Sequence, residues 1–436
     1  MKQAEFKRRR KQLMAQIGKN NIAIISSAAM RPRNRDVDYP FRQDSDFYYL
    51  TGFNEPDSLA VFIPERKEGE YILFCREFDE KKALWEGAHA GLEGATQDYG
   101  ADDSFPITDF ADILPGLLEN KGKVFYPMGR DSELDHNILE WLLHIRTQSR
   151  TGVTAPGELV SLEHILHEMR LFKSAAEIQL MKRAAEVSAK GHVRAMQKCQ
   201  PGMFEYQVES ELIYSFMRQG LRAVAYPSIV AGGKNACVLH YTENDAKIKR
   251  GDLLLIDAGA ECDHYAADIT RTFPVSGRFS PAQKQLYQLV LDAQLSAIEQ
   301  IKPGLPWNLA HETAVEVITA GLVELGLLKG RIPKLIKDEK YKQFFMHRIG
   351  HWLGMDVHDV GDYKVDGEWR ALEPGMVLTI EPGLYIPVNC KTVDKKWQGI
   401  GIRIEDDVLV TKNGYEVLTN GVPKTIAEIE SIMQAG

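Results

Sequence analysis

Five side chains able to ligate a hard metal ion stand at the edges of apolar runs in the C-terminal part of the chain. Asp257 closes LLLID, Asp268 opens DITRTF, Glu381 closes VLTIE and Glu405 closes IGIRIE, while His351 lies in HRIGHWLG. An unpaired carboxylate beside an apolar strand is costly, and two anions repel by about 1 kcal/mol at 4 Å even in water. Four carboxylates drawn into one pocket therefore require cations. Oxygen-rich ligation with one imidazole suits hard or borderline ions such as Mn²⁺. Four carboxylates among five donors fit two ions that share ligands, and such a pair can hold a hydroxide and polarise a carbonyl. The chemistry this implies is metal-assisted hydrolysis.

The elements that must position these groups are short strands. Side chains alternate along a strand, so Leu253, Leu255 and Asp257 share one face, as do Asp268, Thr270 and Thr272 on a second strand. Pairing of the two is predicted to aim both aspartates into one pocket. The run GDLLLIDAG at 251–259 nearly returns as GMVLTIEPG at 375–383, with Gly251 falling on Gly375, Ile256 on Ile380, Asp257 on Glu381 and Gly259 on Gly383. One βα module used twice, each copy presenting a carboxylate at the same point, is the simplest reading. A third strand over 400–407 would put Ile400, Ile402 and Ile404 on one face and Gly401, Arg403 and Glu405 on the other. His347, His351 and His358 fall within HRIGHWLGMDVHDVG, where Gly350 and Gly354 predict a loop rather than a helix.

A chain of 436 residues is too long for one ordinary core, so two domains are expected. Residues 146–157, RTQSRTGVTAPG, read as a linker, giving a mixed α/β domain over 1–157 and a catalytic domain over 158–436. Ser174 and Glu177 form a capping-box pattern that starts a long helix. Three more helices are expected around FEYQVESELIYSFMRQG, PAQKQLYQLVLDAQLSAIEQI and HETAVEVITAGLVELG. A net charge of −8 and a pI near 5.9 argue against nucleic acid or an anionic membrane as partner. No apolar run approaches the roughly 20 residues of a membrane span. The basic N-terminus lacks an apolar core segment and reads as a surface helix, not a targeting peptide. Five scattered cysteines without a CxxC fit a reducing compartment, here the cytoplasm, and argue against a thiolate metal site. Cys262 reads as a small packed side chain. Residues 36–53 read as buried aromatics on a strand, and Trp85 as packing onto its own domain or a neighbouring subunit.

The motifs HYTEND (240–245), IDAGAECDHYAADITRTFP, HWLGMDVHDVG, LTIEPGLY and GIRIEDD closely resemble the aminopeptidase P branch of the pita-bread metallopeptidases. DYPFRQDSDFYYLTGFNEP is similar to the N-terminal stretch of bacterial members, so the resemblance spans nearly the whole chain. It implies an α/β N-terminal domain, a pita-bread catalytic domain with pseudo-twofold symmetry, and two Mn²⁺ ions, other divalent metals being admissible. By the same resemblance Asp257 would bind one metal and His351 and Glu381 the other, with Asp268 and Glu405 bridging. Glu381 would be the general base or proton shuttle for a bridging water. His240, His347 and His358 would contact substrate, with His347 or His358 facing the developing oxyanion, and Arg403 would orient the carboxylates. The implied partners are peptides with proline second and further copies of the chain, as dimer or tetramer. Arg348 stands where relatives more often carry a small residue. Prolidases share fold and metals but cleave only dipeptides. A non-catalytic protein on this scaffold would be expected to lose ligands, and this chain keeps the full set.

Overall fold

The computed structural model describes residues 1–435. It divides the chain into two compact units, Met1–Met169 and Arg170–Gly436. The first extends past residue 157 because Glu158–Ser161 pairs in parallel with Lys123–Tyr126 and forms an edge of its sheet. The expected linker is entered by the end of the helix Ser132–Thr147 and holds a 3-10 turn at Ser149–Thr151.

The first unit is built on a six-stranded mixed sheet, in the order Asp103–Pro106, Tyr71–Cys75, Leu59–Phe62, Ile22–Ser26, Lys123–Tyr126, Glu158–Ser161. Ile22, Ile24, Val61, Ile72 and Phe74 meet Leu114, Ile138 and Leu142 in its core. Three expectations need correcting here. The N-terminal helix, Gln3–Ile17, is not a purely surface element, because Arg9 and Arg10 are buried along with Phe6, Leu13 and Met14. The Arg9 guanidinium lies 4.0 Å from the Tyr49 ring centroid and donates to the Tyr49 carbonyl at 3.1 Å, so a basic residue can turn inward. Of the aromatics of 36–53, Tyr39 is exposed, while Phe47, Tyr48 and Tyr49 are buried but on a helix, Ser45–Thr51, capped by Asp44 and ended by Gly52 at φ 66°. A Cβ at Gly52 would also lie 2.5 Å from the Phe6 ring, which fixes glycine there twice over. Trp85 does not pack onto its own domain; it is 90% exposed, beside exposed Leu84 and Phe78.

The second unit repeats one plan twice. The helices Ala175–Lys198 and Glu205–Arg218 precede a sheet in which Leu253–Asp257 pairs antiparallel with Ile229–Gly232 and Thr270–Pro274. The helices Pro281–Ile298 and Asn308–Glu324 then precede Val377–Ile380, which pairs antiparallel with Asp406–Thr411. The strands ending at Asp257 and before Glu381 thus occupy matching places, as the repeated sequence requires. This is the pita-bread arrangement, an α+β fold with internal pseudo-twofold symmetry. One apolar core, including Leu254, Ile256, Phe273, Val290, Leu378 and Ile402, lies between helices and sheets.

The first long helix forms the predicted capping box, with the Ser174 N–H donating to Glu177 at 2.9 Å. Its inner stripe also holds the segment between the two aspartates. Ser188 accepts the Ala260 N–H at 2.9 Å, His192 donates through Nε2 to the Ala258 carbonyl at 2.9 Å, and Tyr265 donates to Glu177 at 2.9 Å. Burial pushes His192 down to about 4, so it stays neutral and keeps this role across the working pH range.

Two predicted strands end differently. Asp268 precedes its strand, Thr270–Pro274, because its N–H leaves the ladder and donates to the Asp407 carboxylate at 3.1 Å. The predicted strand over 400–407 is two strands: Ile400–Arg403 pairs with Gly383–Ile386, and Asp406–Thr411 with Val377–Ile380. Glu405 sits at the break, where its N–H donates to the Thr270 carbonyl at 3.0 Å.

Candidate metal centre

Asp268, His351 and Glu405 each offer a ligand atom within 4.8 Å of the others. The remaining two predicted donors join through them. His351 Nε2 lies 3.4 Å from Asp268 Oδ2 and 3.6 Å from Glu381 Oε1. Asp257 is tied to Asp268 by one hydroxyl: Tyr226 Oη donates to Asp257 Oδ1 at 2.6 Å and is also hydrogen-bonded to Asp268 Oδ1. Asp268, His351 and Glu405 thus form the close trio, with Glu381 adjoining it through His351 and Asp257 through the Tyr226 hydroxyl.

Local structure explains how each arrives. The His351 loop is stitched to the Val377–Ile380 strand, with Thr379 N–H donating to the His351 carbonyl at 2.9 Å and Glu381 N–H to the Ile349 carbonyl at 2.7 Å. Only glycine permits this approach at 350, where a Cβ would fall 1.9 Å from the Thr379 carbonyl oxygen. His351 Nδ1 faces the Trp352 carbonyl at 2.9 Å, so Nδ1 carries a hydrogen and Nε2 points at the carboxylates. Glu405 accepts from Thr270 Oγ1 at 2.6 Å. Arg271, wholly buried, donates to the Glu405 carbonyl at 2.5 Å and to Asp406 at 2.7 Å, fixing the chain break that presents Glu405.

The electrostatics show a shortage of positive charge. Burial and the neighbouring carboxylates Asp268, Glu381 and Asp257 hold Glu405 well above the usual carboxylate range. Burial raises Glu381 to about 7, with Asp268 and Asp257 adding to it and His351 and Arg403 opposing. Asp257 is raised by burial and by Asp268 against the pull of Arg403. Burial opposes charging His351, but Asp268 and Glu381 outweigh it and carry His351 up to about 9. The metal-free pocket thus takes up protons where it lacks cations, which fits a set of donors suited to divalent metal.

Arg403, Tyr385 and His347 form a chain leading away from this cluster. Arg403 donates to Asp257 Oδ2 at 2.6 Å, to Thr270 Oγ1 at 3.2 Å and to Tyr385 Oη at 3.0 Å. Tyr385 Oη is 2.9 Å from His347 Nε2, and His347 Nδ1 is 2.7 Å from the Arg348 carbonyl. The carbonyl can only accept, so Nδ1 carries the hydrogen and Nε2 accepts from Tyr385. Burial, followed by Arg403, pushes His347 down to about 4, consistent with this neutral form. The His358 ring stands edge-on to His351 with centroids 4.3 Å apart. His240 lies in an exposed turn, close enough for its charge to add to the lowering of both His347 and His358.

Sequence reading missed Tyr226, Tyr385 and Arg271. Tyr226 precedes its two partners by 31 and 42 residues and belongs to no motif around them. It is a single hydroxyl orienting two carboxylates, and removing such a partner typically costs 10- to 100-fold in metal affinity or activity. Tyr226→Phe is expected to weaken Mn²⁺ binding by about 10- to 100-fold in competition with a chelator. Unchanged affinity would show that the strands alone set the two aspartates.

Sequence comparison agrees with this geometry. The profile of metallopeptidase family M24 matches residues 179–412, and that of the aminopeptidase P N-terminal domain matches residues 6–126. An Xaa-Pro aminopeptidase of Haemophilus influenzae is 44% identical over 429 residues, covering 98% of this chain and 97% of its own. Among solved structures, Pseudomonas aeruginosa aminopeptidase PepP is 59% identical, with a TM-score of 0.98 over 100% of this chain and 98% of that one. Zinc-substituted Escherichia coli aminopeptidase P in complex with product is 43% identical, with a TM-score of 0.96 over 100% and 99%. The chain belongs to metallopeptidase family M24, with the N-terminal domain of its aminopeptidase P branch.

Proposed function

We propose that this protein is an Xaa-Pro aminopeptidase, which hydrolyses the bond between an N-terminal residue and a following proline. The observation that carries the reading is the close trio Asp268, His351 and Glu405, with Glu381 and Asp257 adjoining it, in a chain matched over 98% of its length by an Xaa-Pro aminopeptidase. Asp257 would hold one divalent ion and His351 and Glu381 the other, with Asp268 and Glu405 shared. Mn²⁺ suits this donor set, and so do Zn²⁺, Co²⁺ and Fe²⁺. When bound, two such ions acidify water to supply the nucleophile and polarise the scissile carbonyl.

The chain's own residues supply the rest. Glu381, whose Oε1 lies 3.6 Å from His351 Nε2, would take a proton from the attacking water and pass it towards the proline nitrogen. That nitrogen is a tertiary amide without an N–H and must be protonated as it leaves. Both ring nitrogens of His347 are already engaged, by Tyr385 and by the Arg348 carbonyl. The donor to the developing oxyanion is therefore His358, while His347 and Tyr385 extend the Arg403 network that fixes Asp257. His240 completes the substrate side of the pocket.

The exposed Phe78, Leu84 and Trp85 support a homo-oligomer in which they are covered. Five free cysteines support a reducing, cytoplasmic setting. No described helix is long and apolar enough to cross a membrane.

The test is release of the N-terminal residue from an Xaa-Pro-Yaa tripeptide and from an Xaa-Pro dipeptide, using metal-stripped protein with and without Mn²⁺. Mn²⁺-dependent cleavage of the tripeptide is expected. Cleavage of the dipeptide alone would make the protein a prolidase, and cleavage of neither by metal-loaded protein would refute the substrate assignment.

A further inference from the structure

The turn that carries His358 is held from beneath by a buried ionic clamp. Arg170 Nη2 donates to Asp356 Oδ2 at 2.7 Å and to Asp359 Oδ1 at 2.6 Å, and Lys173 Nζ reaches the other oxygen, Asp359 Oδ2, at 2.9 Å. The side chains of Arg170, Lys173 and Asp359 are 2%, 1% and 1% exposed, whereas Asp356 is 38% exposed. His358 lies between the two aspartates in sequence and is exposed.

The backbone is fitted closely to this clamp. Asp359 N–H donates to the Trp352 carbonyl at 2.9 Å, and Gly354 N–H to the Asp356 carbonyl at 3.1 Å, closing the turn. A Cβ at Gly354 would fall 2.1 Å from Asp359 Oδ2 and 2.9 Å from Lys173 Cε, so the residue at 354 must be small for the ions to meet. Lys173 N–H also donates to the Gly375 carbonyl at 2.9 Å, just before the strand that delivers Glu381. The segment 170–173 therefore touches both the His358 turn and the approach to the metal-centre strand.

Two buried cations against two carboxylates are a poor way to gain stability, since desolvation offsets much of their attraction. Such a cluster does impose one geometry, and geometry is what a transition-state donor needs: a misplacement of about 1 Å can cost about 100-fold in rate. We infer that Arg170 and Lys173, acting through Asp356 and Asp359, are positioning residues that set His358 for catalysis. This rests on His358 acting on the substrate as proposed above.

A double-mutant cycle tests it with the full-length, Mn²⁺-loaded protein and an Xaa-Pro-Yaa tripeptide. Arg170→Lys keeps the charge but loses the guanidinium nitrogen that bridges Asp356 and Asp359. Asp356→Asn, at the half-exposed end, serves as a second variant that folds even if the first does not. Each is expected to lower kcat by about 10-fold or more, with KM changed less than about 2-fold and bound Mn²⁺ unchanged. In a His358→Ala background the same substitutions are expected to change kcat by less than about 2-fold, because the group they position is gone. An equal loss of kcat with and without His358 would overturn the proposal, as would unchanged kcat in both clamp variants. Full activity of His358→Ala alone would overturn the role of His358 itself and the clamp's function with it, a result distinct from either.

Discussion

Asp268→Asn and Glu405→Gln are each expected to lower kcat/KM for an Xaa-Pro-Yaa tripeptide by about 10²- to 10³-fold or more, the scale of losing a preorganised charge in a water-excluding site. Both substitutions keep side-chain volume, so the loss reports on charge and ligation rather than on a cavity. The same two variants should differ in stability once metal is stripped. Glu405 is held well above the usual carboxylate range by burial and by Asp268, Glu381 and Asp257, so its charge opposes folding in the metal-free chain. Replacing it with an amide removes that repulsion, and metal-free Glu405→Gln should melt above metal-free wild type. Burial opposes the charge on Asp268, but its bond to His351 outweighs this and holds Asp268 below its ordinary value. Losing that partner leaves a buried imidazolium less well compensated, so metal-free Asp268→Asn should melt below wild type. Full activity in either variant would refute the metal-centre assignment. A fall in the melting temperature of both metal-free variants would show instead that the carboxylates do not repel as described.

The contrast between these two carboxylates was not readable from sequence, although their presence was. Each carboxylate stands at the edge of an apolar run, and the repeat linking Asp257 to Glu381 is visible without coordinates because the same strand is used twice. What pattern could not supply was the pairing partner. The uninterrupted alternation from Ile400 to Ile404 reads as one strand, yet the chain changes partner at Glu405, since different sheets offer hydrogen bonds on either side of it. The buried aromatics Phe47, Tyr48 and Tyr49 suggest a strand by composition, while the flanking Asp44 and Gly52 are cap and stop signals for the helix that forms. Tyr226 carries no local signal at all. Its function exists only once the ends of two strands have been brought beneath its hydroxyl.

Without metal, the protein is expected to lose stability as pH rises from about 6.5 to 9, and divalent metal should largely abolish that dependence. Stability falls with pH wherever the folded chain holds protons that the unfolded chain has released. Burial raises Glu381 from an ordinary 4.5 to about 7, so the metal-free folded state keeps a proton across that interval that the unfolded state gives up. Against burial, Asp268 and Glu381 raise His351 from 6.5 to about 9, so its contribution is complete below 6.5 and is lost towards 9. Both shifts act in the same direction, each of the order of 3 kcal/mol, and they are not additive because the groups share partners. Carboxylates held low elsewhere, such as Asp406 at about 2 between Arg271 and Lys424, lose their contribution only in acid, and the buried histidines pushed down to about 4, such as His192 and His347, oppose the fall only below 6.5, so the decline stands clear above that pH. Bound cations remove the reason for holding those protons, so metal uptake must release them. Melting temperatures of chelator-treated protein should therefore fall steadily from pH 6.5 to 8.5, with those of Mn²⁺-loaded protein nearly constant. Adding Mn²⁺ to stripped protein in weak buffer at pH 7 should acidify the solution by more than one proton per chain. A pH-independent metal-free melting temperature, or uptake without proton release, would mean that the five donors are not electrostatically coupled to one another.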